Sequence, residues 1–181
     1  MILALPVLAN ENPIEITADQ ELEWDRANLN FTARGNALVK QGDSSILAPT
    51  ITAHYADTDQ GVLIQSVVAA PNAVLKQINE TISANNVTAV FHLGVLNNVS
   101  AKGDVVVKTK KGEILYGDIG DYNASSRIVT MTGDVRIEQG KNILTGNRAE
   151  FDLNTNISTM TADSNTNNGR VKAIFYGGEG K

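Results

Sequence analysis

Apolar residues recur along this chain with a period of two rather than 3.6. Leu29, Phe31, Ala33, Gly35, Ala37 and Val39 share one side of a run, while Asn30, Thr32, Arg34, Asn36 and Lys40 share the other, with Leu38 as the exception. Successive side chains of an extended backbone point to opposite sides, so the pattern predicts a strand with one buried face. The alternation returns in Val129, Met131, Gly133, Val135 and Ile137 against Thr130, Thr132, Asp134, Arg136 and Glu138. It returns again in Val99, Ala101, Gly103, Val105 and Val107, although Val106 on the other side is also apolar. Turn formers separate the runs, among them Gln41-Gly42-Asp43, Lys111-Gly112, Asn123-Ala124-Ser125-Ser126, Gln139-Gly140-Lys141-Asn142 and Asn154-Thr155-Asn156. No stretch carries a convincing helical period, and the predicted fold class is all-β.

The strands belong to a repeat. Gly35-Asn36-Ala37-Leu38-Val39-Lys40, Pro71-Asn72-Ala73-Val74-Leu75-Lys76, Gly103-Asp104-Val105-Val106-Val107-Lys108 and Gly133-Asp134-Val135-Arg136-Ile137-Glu138 follow one another at intervals of 36, 32 and 30 residues. An aliphatic residue follows each cassette and an aromatic follows that: Ile46 with Tyr55, Ile82 with Phe91, Ile114 with Tyr122, Ile143 with Phe151. Ile16 with Trp24 reads as a half unit at the start. A unit of about 30 residues cannot bury its apolar side alone and gains stability only by stacking on its neighbours. Glycine inside a strand pattern marks a bend or bulge. Its return at 35, 103 and 133, with Pro71 in the fourth unit, predicts that every unit bends there and that the stacked strands curve around an interior.

The length of 181 residues fits a single domain. Residues 1–9, Met1 to Ala9, form an apolar run ending in a small residue and read as a signal-peptide-like segment without its basic start. The domain is expected over 10–178, with a flexible tail at 179–181, a loop at Asp163 to Gly169 and a last strand from Arg170 to Tyr176. No later segment reaches the roughly 18 uninterrupted apolar residues of a spanning helix, so the domain is not expected to cross a membrane. With no Cys, neither a disulfide nor a Cys-ligated metal site is possible. The formal net charge of -5 argues against a nucleic-acid partner or recruitment to an anionic membrane surface by net charge.

Catalytic and metal chemistry find little material. His54 and His92 stand beside Tyr55 and Phe91 without a second ligand at metal spacing, and read as outward strand residues. Asp57 with Asp59, and Asp118 with Asp121, read as turn and surface carboxylates. No nucleophile elbow, P-loop or EF-hand pattern is present. The reading is of a non-enzyme with no cofactor and no metal. Lys108, Lys110 and Lys111 form a small basic cluster, taken as a solvated strand end.

The interior itself admits two readings. Aromatics are only 5% of residues, and many inward positions are small: Ala18, Ala33, Ala37, Ala73, Ala84, Ala101 and Ala149. Such a lining suits acyl chains, which need continuous apolar contact and little directional bonding. It equally suits the dry core of a structural or adhesive β-solenoid.

Pro13-Ile14-Glu15-Ile16-Thr17-Ala18-Asp19-Gln20, Phe31 to Gly42, Met131 to Gln139 and Gly169-Arg170-Val171-Lys172-Ala173-Ile174, in this order and spacing, resemble the OstA-like family of lipopolysaccharide-transport proteins. That family includes LptA, LptC and the amino-terminal part of LptD. The resemblance implies an open, slightly twisted β-jellyroll in the periplasm. It further implies an apolar groove that receives the acyl chains of lipopolysaccharide, end-to-end joining by strand augmentation to LptC-like and LptD-like jellyroll domains, and head-to-tail self-association. The positions expected to line the groove are Ile16, Leu22, Trp24, Phe31, Ala37, Val39, Ile51, Tyr55, Leu75, Val87, Phe91, Val105, Val107, Tyr122, Met131, Val135, Ile137 and Phe151.

Overall fold

The computed structural model describes residues 13–155, 157–162 and 169–177. The signal-like segment 1–9, the tail 179–181 and most of the Asn-rich loop lie outside the described residues. The fourteen described strands form one antiparallel sheet. They are β1 (Glu15–Thr17), β2 (Glu21–Asp25), β3 (Asn30–Gln41), β4 (Ser44–Thr58), β5 (Gly61–Ala70), β6 (Ala73–Lys76), β7 (Glu80–Ala84), β8 (Asn86–His92), β9 (Val95–Thr109), β10 (Glu113–Asn123), β11 (Ile128–Gln139), β12 (Asn142–Asp152), β13 (Ile157–Thr161) and β14 (Lys172–Ile174). The predicted runs coincide with β3, β9 and β11. The last strand is shorter than expected, covering only Lys172–Ile174.

The cassettes sit where the sheet bends. Gly35 and Asn36 have φ of 84° and 44°, Gly103 and Asp104 80° and 50°, and Gly133 and Asp134 81° and 43°. In the fourth unit the Ala70–Pro71 peptide is cis and Asn72 has φ 52°. At each Gly-Asx pair the register slips by one: Arg34 faces Thr50 while Ala37 faces Ala48, and Thr132 faces Arg148 while Val135 faces Gly146. Two residues thus oppose one, the definition of a bulge, which adds twist and turns the strand. Lacking a Cβ, glycine enters the left-handed region without steric penalty. At position 133 there is also no space, because a Cβ there would meet the Asp118 side chain.

The bend folds the sheet into two layers that share one apolar cluster. The first layer holds β2, the amino-terminal halves of β3, β9 and β11, the carboxy-terminal halves of β4, β10 and β12, and β5, β8 and β13. The second holds β1, the complementary halves, and β6, β7 and β14. The bulged strands keep their inward parity across the bend: Ala33 and Ala37 both face in, as do Met131 and Val135. Their partners have one residue fewer there and reverse it, so Ala48 and Ile51 face in on β4. For the same reason the inward aliphatics of the last two units are Leu115 and Leu144. Ile114 and Ile143 pair with Glu138 on the outer face instead.

Side-chain size is graded away from the bend. In the second layer the row beside it reads Ala37, Ala48, Ala73, Ala84, Val105, Gly117, Val135, Gly146, and the next row Val39, Ile46, Leu75, Ile82, Val107, Leu115, Ile137, Leu144. Small residues let the layers approach where they join, and larger ones fill the widening gap.

Candidate functional site

The two layers enclose a continuous apolar cluster, and the space between them is the candidate trough. Its floor, along the bend, is closed: Ala33, Ala37, Ala69, Val87, Val105 and Met131 have no side that a water molecule can reach. Exposure then rises towards the two rows of hairpins. Val39, Ile46, Leu75 and Leu115 are 5 to 8% exposed, and Ile82, Val107 and Ile137 are only partly buried. On the facing layer, Phe31, Phe91, Tyr122 and Phe151 are likewise half-buried and packed against the core. The trough is therefore a wedge, shut at the bend and partly accessible at its mouth.

The positions expected to line a groove divide accordingly. Ala37, Ile51, Val87, Val105, Met131 and Val135 lie at the closed floor. Ile16, Phe31, Val39, Leu75, Phe91, Val107, Tyr122, Ile137 and Phe151 lie towards the mouth. Tyr55 is 3% exposed and belongs to an aromatic stack, with ring centroids 5.0 Å apart for Trp24 and Phe31 and 5.1 Å for Phe31 and Tyr55. The Trp24 indole N–H donates to the Tyr55 hydroxyl at 2.8 Å, and the Arg26 guanidinium covers the outer face of the indole at 4.1 Å. Leu22 pairs with Ala33 and so turns inward, yet it is 56% exposed, because β2 ends the stack. Ile46, Ile82, Leu115 and Leu144 complete the mouth rows; the repeat singles out Ile46 and Ile82, though not as groove positions, and marks Ile114 and Ile143 where Leu115 and Leu144 face in.

Among the described residues β1 and β2 are paired on one side only, with β3, so their outer edges carry backbone donors and acceptors without a described strand partner. Beside those edges lie Ile14, Ile16 and Ala18 of one layer and the half-exposed Leu22 and Trp24 of the other. The ion pairs of Arg34 with Glu21 and Glu23, both at 2.8 Å, hold β2 against β3 across the outer face. Hydrogen bonds to Glu23 and then Glu21 raise the Arg34 pKa above its ordinary value. On β1's side, Asp19 N–H donates to the Gly35 carbonyl and the Asn36 amide to the Asp19 carboxylate.

The hairpin tips are closed by Asx side chains. Asp25 accepts from the Ala27 and Asn28 N–H groups, Asn123 from Ser126 N–H, and Asp152 from Asn154 and Thr155 N–H. These bonds favour the carboxylate form. The Asn28 side chain and backbone hold the Asp25 pKa below its ordinary value, and the Asn154 N–H leads the same effect at Asp152.

The residues weighed for catalysis are scattered. His54 pairs with Asn30 and Ser66 on the outer face, and His92 is exposed near a hairpin tip. Asp118 stands exposed at the bend, and Asp121 pairs with Ser100 and Thr130 on the first layer's outer face. Among the described residues no three His, Cys, Asp or Glu side chains converge as a metal would require. A surface recess of about 510 Å³ lies away from the trough, between Arg136, Glu138, Lys141, Ile143 and Tyr176.

No curated protein matches the chain. Among solved structures it is similar to LptH, described as the LptA homologous periplasmic component of the conserved lipopolysaccharide transport device from Pseudomonas aeruginosa, at 16% identity. The alignment covers 93% of this chain and 98% of that one, with a TM-score of 0.38, a likeness too slight to carry an argument. The sequence itself is decisive, since residues 15–157, running from β1 to the start of β13, match the family described as LptA/(LptD N-terminal domain) LPS transport protein, and the chain belongs to that family.

Proposed function

We propose that this protein is a periplasmic carrier that takes lipopolysaccharide from the inner towards the outer membrane, its acyl chains lying in the mouth of the trough. The observation that carries this reading is the row of large apolar side chains on both layers away from the bend, of which Phe31, Ile82, Phe91, Val107, Tyr122, Ile137 and Phe151 are partly accessible. Acyl chains need such a row. At about 0.8 kcal/mol per methylene, a chain of roughly a dozen carbons forfeits on the order of 10 kcal/mol on entering water, so a lipid with several chains does not cross an aqueous space unaided. The closed floor limits cargo to the mouth, where Phe31, Phe91, Val107, Tyr122, Ile137 and Phe151 would make contact.

With strands about 4.8 Å apart, the trough is on the order of 40 Å long. A longer path needs modules in series. The edges of β1 and β2, unpaired among the described residues and next to half-exposed Leu22 and Trp24, suit strand addition by a neighbouring jellyroll domain of the LptC or LptD kind or by a second copy. Head-to-tail contact of this type is heterologous and builds open chains.

A photo-crosslinking amino acid at Phe31, Phe91 or Tyr122 is expected to capture lipopolysaccharide, while the same probe at outward Thr88 or Thr130 is not. Equal labelling of both faces would refute the carrier. The sealed floor favours a second reading, a purely structural β-solenoid with a filled core. That reading predicts no capture at any position and no self-association with rising concentration.

A further inference from the structure

The sequence repeat ends three of its cassettes in lysine, and the sheet brings these lysines into one line. Lys40 pairs with Ser45, Ser45 with Lys76, Lys76 with Thr81, and Thr81 with Lys108. Directly opposed residues share a face, so Lys40, Lys76 and Lys108 stand in a row on the outer side of the second layer, roughly 10 Å apart. All three are exposed, and no acidic side chain interrupts the row between them. Beyond it the β9–β10 turn adds exposed Lys110 and Lys111, and Lys110 N–H donates to the Asn79 carbonyl of the β6–β7 turn at 2.7 Å. That bond places Ile78, 69% exposed, at the tip of the same lysine-rich rim.

The row towards the bend is apolar where an outer face would ordinarily be polar. Leu38 pairs with Leu47, Leu47 with Val74, Val74 with Ser83, Ser83 with Val106, and Val106 with Tyr116. The corresponding row on the first layer is Thr32, Thr52, Val68, Thr88 and Ser100. Only the second layer joins an apolar strip to a basic one. Acids stand at the two ends of the row, Glu15 directly opposite Lys40 and Glu138 two strands beyond Lys108 across Ile114, so the uninterrupted basic stretch is Lys76, Lys108 and the Lys110-Lys111 turn; Asp43 lies in the β3–β4 turn and Asp104 at the bend, and strand alternation puts Glu80 and Glu113 on the trough side.

We infer that this face docks on the surface of a bilayer bearing anionic lipids. Lysines in a line meet headgroup phosphates, and Ile78 with the apolar row enters the boundary beneath them, the arrangement of interfacial membrane binders. The net charge of -5 does not oppose this, because at physiological ionic strength charges more than about 8 Å away are largely screened and the lysine rim acts locally. The inference goes beyond the carrier reading and uses none of the trough residues.

The test is co-sedimentation of the full chain with vesicles of phosphatidylglycerol mixed into phosphatidylcholine, against vesicles of phosphatidylcholine alone. Binding is expected only to the anionic vesicles and is expected to vanish at high salt. Each lysine near such a surface is worth about fivefold in affinity, so Lys40→Gln/Lys76→Gln/Lys108→Gln together lower binding on the order of a hundredfold. Ile78→Asp weakens it independently, while Lys102→Gln, which removes the same charge from the first layer's outer face, leaves it unchanged. Circular dichroism checks that each variant is folded. Equal pelleting with neutral vesicles, no pelleting at all, or a triple variant that pellets like the parent overturns the inference. So does loss of self-association in the triple variant with vesicle binding intact, which would make the face a contact between copies.

Discussion

Replacing Gly133 by Ala tests whether the bend is a packed joint or merely a permissive turn. Two penalties meet at this position. The left-handed backbone, φ 81°, disfavours any residue with a Cβ by roughly 1–2 kcal/mol, partly offset by about 0.4–1 kcal/mol from the stiffer unfolded chain. In addition the new Cβ would lie 2.6 Å from the Asp118 Cβ. Rotating the Asp118 carboxylate away does not relieve a contact with the atom nearest its own backbone, so two strands must shift. Overpacking of this kind typically costs 1–3 kcal/mol, which puts the total at about 2–4 kcal/mol. Gly112 supplies the control, because its φ is 86° but no atom lies within 4 Å of its Cβ position. Gly112→Ala therefore carries the backbone penalty alone, about 1 kcal/mol net. Urea denaturation followed by circular dichroism reads both, and with a slope of roughly 1–3 kcal/mol/M the two midpoints separate by about 1 M. Equal losses in the two variants would refute the claim that Gly133 is required by its neighbour across the bulge.

Two further predictions follow from the interior and the hairpins. Met131, fully buried and 3.2 Å from where a Cβ on Gly117 would stand, fills the space that glycine leaves; Met131→Ala is expected to lose about 2–5 kcal/mol of stability and Met131→Leu under about 1.5, a gap that chemical denaturation resolves. The Asp25 and Asp152 carboxylates, held below the ordinary value of 3.8 by hydrogen bonds from their own turns, contribute stability that is present above that value and lost as pH falls through their lowered pKa values. Carboxyl carbon shifts followed by NMR should show both titrating below 3.8; titration at or above it would sink the assignment of these side chains as turn caps.

Local chemistry accounts for what was legible beforehand. Gly-Asx pairs at 35, 103 and 133 demanded a break in the strand, and Gly42, Lys111-Gly112, Asn123 to Ser126 and Gly140 demanded turns; each acts through its own φ and ψ or a hydrogen bond within a few residues. The period of two places the inward residues of β3, β9 and β11 where the structure buries them, because a bulge that sets two residues against one preserves parity along the strand that carries it. On the partner strands parity reverses, which no count along β10 or β12 alone reveals. Hence Leu115 and Leu144 were passed over in the trough.

The sequence determined an all-β stack with a bend in every unit and small residues beside it, because repeat length, alternation and glycine placement are properties of neighbouring residues. Tertiary structure alone decided that the small side chains seal the floor of the trough rather than widen it, since that depends on how closely two layers approach. It also decided that Lys40, Lys76 and Lys108, 36 and 32 residues apart, form one row. Register fixes such alignments, and register is set by hydrogen bonds between strands far apart in the chain.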